Sequence, residues 1–221
     1  MGLFYGYNIL GIFQNEEEVS DHALQEGAAP GRWKFEDINQ DSIINDLDRK
    51  ILGSPHPDFT FGIPINFTYK NFNLELLWYG SYGNDIFNHN KLMTDLGNPY
   101  AQYGRRILSS WGRPGVDPAK ATIPQLVMSA PQYETSTTSY LIENGSYLRL
   151  SRLTLGYNFN AEKWKSVKSF RIYLQVNNVF TLTNYEGIDP MVRGDNELML
   201  GIDSSTYPVV RSFILGFNIS L

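Results

Sequence analysis

Between Phe59 and Gly83 the chain alternates oily and polar side chains twice over, with only two residues between the runs. In the first run Phe59, Phe61, Ile63, Ile65, Phe67 and Tyr69 take the odd positions. Thr60, Gly62, Pro64, Asn66 and Thr68 take the even ones. After Lys70-Asn71 the phase shifts, and Phe72, Leu74, Leu76 and Trp78 alternate with Asn73, Glu75, Leu77, Tyr79 and Ser81. Successive side chains of a strand point to opposite faces, so each run predicts a strand with one apolar and one polar face. Each run is about 10 or 11 residues, what a tilted strand needs to cross a bilayer and longer than the roughly 5–6 of an average soluble strand. Tyr69 and Phe72 flank the turn, where an interfacial girdle of aromatic residues would lie.

The same rhythm returns three times. In 147–159, Leu153, Leu155, Tyr157 and Phe159 alternate with Arg152, Thr154, Gly156 and Asn158. In 170–180, Phe170, Ile172, Leu174 and Val176 oppose Arg171, Tyr173, Gln175 and Asn177. The C-terminal run sets Phe213, Leu215, Phe217, Ile219 and Leu221 against Ser212, Gly216, Asn218 and Ser220. Residues 2–13 are a weaker strand candidate, with Tyr5, Tyr7, Ile9 and Phe13 on one face and Gly2, Gly6 and Gly11 interrupting it. A short helix is expected over Tyr100 to Trp111.

The connections also alternate: long over 14–58, short at 70–71, long over 84–146, short over 160–168, long over 182–207. Antiparallel outer-membrane barrels have short turns on one side and long loops on the other. Most charges obey the same geometry. Glu75, Arg152 and Arg171 fall on polar faces, while Arg149 and Arg211 have lipid-face parity but lie at outer strand ends, where a long side chain reaches headgroups. Pro64 removes a ladder donor from mid-strand, so a bulge is expected there, or a register in which that nitrogen meets no acceptor.

Composition narrows the function classes. Hydrophobic content is ordinary at 42%, but aromatics reach 14%, with 14 Tyr and 13 Phe. No window approaches the roughly 18 consecutive apolar residues of a spanning helix, so a membrane role must run through strands. With no cysteine, there is neither a disulfide framework nor a thiolate metal site. A net charge of −5 argues against nucleic acid as a partner. Residues 1–20 lack the basic segment and apolar core of a signal peptide. His22, His56 and His89 are isolated, and no nucleophile-elbow, P-loop or dinucleotide fingerprint occurs, so no enzyme is expected. Asn144-Gly145-Ser146 reads as a turn, and Glu16-Glu17-Glu18 as a solvated acidic patch.

One segment carries ligand chemistry. In Asp37 to Asp48, the residues Asp37, Asn39 and Asp41 hold positions 1, 3 and 5 of a twelve-residue loop, Ile43 the backbone-carbonyl position 7, and Asp48 position 12. That is the oxygen spacing of a Ca2+ loop. Ser42 stands where glycine is usual, and Asp48 where a longer Glu is usual. An Asx-rich surface turn is the other reading.

The stretches GIFQNEEEV (11–19), DINQDSIINDLDRKILG (37–53), PDFTFGI (57–63), YLIENGSYLRLSRLTLGY (140–157), RIYLQVNNVFTLTNYEGIDP (171–190) and YPVVRSFILGFNISL (207–221) occur in the order of a known family. Together they resemble the C-terminal part of SusC/RagA-type TonB-dependent outer-membrane transporters. The resemblance implies an all-β fold: about six C-terminal strands of a transmembrane antiparallel barrel of about 22 strands, with 84–146 as a long extracellular loop. It implies the rest of the barrel and its plug, a SusD-like surface lipoprotein, outer-membrane lipid, and TonB reached through the upstream plug. Its function would be import of oligosaccharides or peptides. Leu221 departs from the aromatic residue on which such proteins tend to end. Since about six strands are fewer than the eight of the smallest barrels, a fragment of a longer protein is expected.

Candidate lumen or substrate-facing residues are Asn73, Glu75, Tyr79, Arg152, Arg171, Tyr173 and Gln175, which equally suit the polar lining any barrel needs. The competing architecture is a soluble secreted β-sandwich with a calcium loop, binding glycan on Trp78, Tyr79 and Tyr82.

Overall fold

The alternating runs form strands where they were expected. The structure, a computed structural model, describes residues 2–96, 102–127, 131–160, 167–192, 199–205 and 207–220. It divides into two units, one of residues 57–84, 144–191 and 207–221, the other of residues 1–56, 85–143 and 192–206.

The first unit is a five-stranded antiparallel meander: β1 (Phe59–Tyr69), β2 (Phe72–Tyr82), β3 (Tyr147–Phe159), β4 (Ser169–Thr183) and β5 (Ser212–Ser220). Each strand pairs with its neighbours in sequence. Lys70, at φ +51, makes the two-residue turn between β1 and β2. The registers stack like with like. Ile65 lies opposite Leu76, Leu74 opposite Leu155, Leu155 opposite Leu174, and Leu174 opposite Leu215. One side of the sheet is therefore an apolar surface, and it is uncovered: Phe67 is 59% exposed, Phe213 69% and Leu215 76%. A sandwich would bury this row against a second sheet, so the sandwich reading fails. Its sugar platform fails too. Trp78 packs on Phe180 at 5.5 Å and lies opposite Ile63 in the apolar row. Its neighbour Tyr79 packs on Tyr147 across the polar row.

Pro64 needs no bulge. Its strand is the edge of the described sheet, and the β1–β2 register runs unbroken from Phe59–Tyr82 to Tyr69–Phe72, with Pro64 opposite Leu77. Edge strands tolerate a missing donor. The bulge is elsewhere. Arg152 lies opposite Leu77 and Asn177, but the next partners are Leu150 with Trp78 and with Phe180. Ser151 on β3 is left over, as are Asn178 and Val179 on β4, and Asn178 has φ +53. One extra residue flips every later side chain to the opposite face. Leu148 and Leu150 thereby join the apolar row, and Arg149 joins the polar one.

The second unit is built from the long connections. Phe4–Tyr7 pairs with Arg49–Gly53, and Ile9–Ile12 pairs with Trp33–Phe35. Asp85–Asn88 lies between Ile142–Asn144 and a parallel Ile202–Asp203. The core is Tyr7, Trp33, Phe35, Ile44 and Leu96, with Tyr133 edge-on to Tyr7 at 5.3 Å. Residues 2–13 are thus not a sixth long strand, and the sheet has five rather than about six. Tyr7, in the first of two short strands, and Phe13, just after the second, are buried completely, side chains that a lipid face would have left bare. Gly6 makes the fold possible. A Cβ there would collide with the Thr137 carbonyl, which accepts the Tyr7 N–H at 3.0 Å.

One smaller expectation changes, and one gains a local structure. The helix expected over 100–111 is a 3-10 turn, Arg105–Ser109, with Tyr100 and Ala101 outside the described residues. The acidic run lies at the surface, as expected, and forms the first turn of a helix, Glu16–Ser20. Asn15 caps it, accepting the Glu18 N–H at 2.8 Å, and carboxylates favour that end of a helix. Leu221 and 161–166 of the short connection also lie outside the described residues.

Candidate functional site

All seven residues expected on the substrate-facing side share the polar face of the sheet. Asn73 donates to Thr68 Oγ1 at 3.2 Å and accepts from Asn158 Nδ2 at 2.6 Å. Glu75 receives Arg171 Nη2 at 3.0 Å. The Arg171 side chain reaches it across Gly156, where a Cβ would stand 2.7 Å from Arg171 Nε. The same guanidinium lies 5.7 Å from the Tyr173 ring, which in turn covers Gly216. Gln175 donates to Asn177 Oδ1 at 2.8 Å, and Asn177 donates to Ser212 Oγ at 3.0 Å. Glycines on one strand therefore make room for long polar side chains on the next. The result is a wall of mutually bonded groups rather than separate charges.

The sequence reading missed Arg149. The bulge at Ser151 turns it onto the polar face, where it is 3% exposed. It donates to Thr181 Oγ1 at 2.8 Å and to Asp189 Oδ1 at 2.6 Å. Asp189 also accepts the Met191 N–H at 2.9 Å and the Val209 N–H at 3.2 Å, anchoring both parts of the connection that leads to β5. A signal was available: Arg149 and Ser151 are consecutive polar residues at apolar parity, as a phase change produces. Arg211 precedes β5, is exposed, and reaches the Asn178 carbonyl at 3.5 Å.

A hollow of about 700 Å3 opens beside the bulge, bordered by Arg152, Gln175, Asn177, Asn178 and the 207–210 segment. Asn178 Nδ2 holds that segment through the Val210 carbonyl at 2.9 Å.

The acidic loop in the other unit binds itself. The Asp37 oxygens accept the Gln40 and Ser42 N–H groups at 2.8 and 2.9 Å. Asp41 accepts the Ile43 N–H at 2.9 Å and Asn39 Nδ2 at 2.9 Å. The Ile43 carbonyl accepts Asn45 Nδ2 at 3.2 Å. Asp48 is fully buried and takes the Ile38 and Asn45 N–H groups at 2.9 and 2.8 Å. Ser42 does adopt a left-handed turn, at φ +66. Among the described residues no three His, Asp or Glu side chains converge as a metal site. These oxygens make Asx turns.

A buried network stiffens the same unit. Asp95, fully buried, receives Arg106 Nε at 2.6 Å and the Tyr140 hydroxyl at 2.7 Å. Burial, reinforced by the Asp95 carboxylate, pushes the Tyr140 hydroxyl well above its ordinary 10.0. The folded chain holds this proton more tightly than an unfolded one. The associated stability is therefore complete below about pH 10 and is lost as pH climbs from there toward the folded value. Spectrophotometric titration checks it. The difference between the native chain and Tyr140→Phe should be a tyrosine that ionises later than exposed tyrosines do. A difference curve centred at the ordinary value would contradict the network.

No family model matches the chain. Curated proteins do. TonB-dependent receptor P3 of Formosa agariphila is 32% identical over 227 residues, which cover 99% of this chain and 22% of that receptor. TonB-dependent receptor SusC of Bacteroides thetaiotaomicron is 27% identical over 213 residues, 95% of this chain and 20% of SusC. The chain belongs to the TonB-dependent receptors. It spans about a fifth of the length of the curated relatives it matches. The structure called the RagAB peptide transporter shares the fold, with a TM-score of 0.75 at 21% identity over 98% of this chain and 22% of that one. The RagAB peptide importer in its open-open state gives 0.72 at 20% identity, over 99% of this chain and 22% of that one. TonB-dependent receptors are outer-membrane proteins and not enzymes. In that family a bare apolar sheet face backed by a bonded polar face has an immediate physical meaning: strands in lipid must satisfy their backbone groups laterally and turn their oily side chains outward.

Proposed function

We propose that this chain forms part of the wall of an import barrel in the outer membrane of a Gram-negative bacterium. Its apolar face meets lipid and its polar face meets the passing substrate, an oligosaccharide or a peptide. One observation carries the reading. Five strands of 9 to 15 residues expose a continuous apolar row on one side, while Glu75–Arg171 and Arg149–Asp189 are ion-paired on the other. The likeness to SusC and to the RagAB peptide transporter supports import as the activity. In this reading the long connections, 84–146 among them, lie outside the cell, where they would meet a SusD-like lipoprotein. TonB would energise transport through the plug of the complete receptor.

The test is a host receptor. The chain replaces the stretch it matches in SusC, and uptake of labelled oligosaccharide and peptide is measured with and without TonB. The expected result is a heat-modifiable outer-membrane barrel with TonB-dependent uptake. A hybrid that inserts and folds but imports nothing would overturn the proposal.

A further inference from the structure

Among the described residues, acids and arginines on the polar face are matched except at one place. Arg171 has Glu75, and Arg149 has Asp189. Arg152 sits at a register level between those pairs, opposite Leu77 and Asn177. It is exposed, and among the described residues it has no hydrogen-bond or ion-pair partner. It borders the hollow of about 700 Å3, and no acidic side chain lines that hollow. The volume falls within the roughly 300–1,000 Å3 of small-molecule sites.

The lining has a definite chemistry. A guanidinium offers a planar fork of donors that fits the two oxygens of a carboxylate. Gln175, Asn177 and Asn178 put amide groups beside it, suited to hydroxyl or peptide groups. Tyr207, 83% exposed, brings an aromatic ring to the rim. Its segment is tethered, since Asp189 takes the Val209 N–H and Asn178 holds the Val210 carbonyl. The bulge at Ser151 sets this geometry by placing Arg149 and Arg152 on the same face with different surroundings. Arg149 is sealed into an ion pair, and Arg152 is left open.

We propose that this hollow binds a carboxylate of the transported molecule, with Arg152 as the anion-binding residue. The carboxylate can belong to an acidic sugar or to a peptide. The proposal rests on reading the polar face as substrate-facing, and it adds a charge preference to that reading.

The full chain in detergent micelles is titrated calorimetrically with four probes: trigalacturonate, its methyl ester, tetra-alanine and its C-terminal amide. Each acid of at least one pair is expected to bind at least tenfold more tightly than its neutral partner, and the pair that shows this identifies the source of the carboxylate. Arg152→Gln should abolish the preference while leaving the neutral probe unchanged. Arg152→Lys should keep part of it, because the charge stays while the fork is lost. The lysine variant also serves if the glutamine variant fails to regain the β-sheet circular dichroism of the native chain. Equal binding of acid and neutral probes in both pairs would overturn the site, as would a preference that survives Arg152→Gln. A purely structural role for Arg152 would weaken acid and neutral probes alike. If the SusC hybrid imports substrate but the chain shows no acid preference, this inference alone falls. If the preference holds and nothing is imported, the import proposal falls.

Discussion

Leu174→Arg in the SusC hybrid should block barrel insertion, whereas Gln175→Arg, one residue away, should be tolerated. Leu174 sits mid-strand in the apolar row, between Leu155 and Leu215, and is 43% exposed. An arginine on a lipid face near the bilayer midplane costs about 2–4 kcal/mol. Gln175 points to the other side, beside Asn177 and near the hollow, where another charge stays among polar groups. Heat-modifiable mobility of the outer-membrane fraction reads both variants. If they behave alike, the two faces do not meet different media, and the lipid assignment is wrong whatever the relatives do.

The second large effect lies in the other unit. Glu134→Ala should destabilise it by about 3–5 kcal/mol, the usual cost of stranding one member of a buried ion pair. Arg32 Nη1 lies 2.9 Å from Glu134 Oε2, and the two side chains are 7% and 2% exposed. Glu134 Oε1 also accepts the Trp33 N–H at 3.2 Å, which ties the pair to the strand Trp33–Phe35. Burial holds the Glu134 carboxyl above the usual range even with Arg32 beside it, so desolvation outweighs attraction for this group. The double change Arg32→Met with Glu134→Leu should recover most of the loss, because removing both charges removes the desolvation cost. Urea unfolding of the full chain in detergent measures all three. A single variant as stable as the native chain would show that Glu134 is reached by water.

The residues of the wall were legible because alternation is a local property. A strand side chain has two directions available, and counting by two assigns Asn73, Glu75, Tyr79, Arg152, Arg171, Tyr173 and Gln175 to one face wherever pairing is regular. Arg149 was misassigned because the count is reset by one extra residue. The bulge at Ser151 is chosen jointly by three paired strands, not by the five or six residues around it. Residues 2–13 misled for another reason. Their alternation was real, but Gly6 allows a close backbone approach, and the partner that claims it is Thr137, far away in sequence. The acidic loop shows the same limit. Its spacing suits a calcium loop or Asx turns, and only the backbone decides which donors the oxygens meet.

Sequence alone determined the long strands, their two faces, the short and long connections between them, and the receptor family. Each follows from a repeat of two residues, or from a string of matches read in order. Tertiary structure alone decided that Arg149 is neutralised by Asp189 while Arg152 stays open, and that Glu134 from one connection lies against Arg32 from another. The physical reason is distance along the chain. Ion pairs 40 and 102 residues apart leave no local trace, because they exist only once backbone hydrogen bonding and burial have set the register that brings them together.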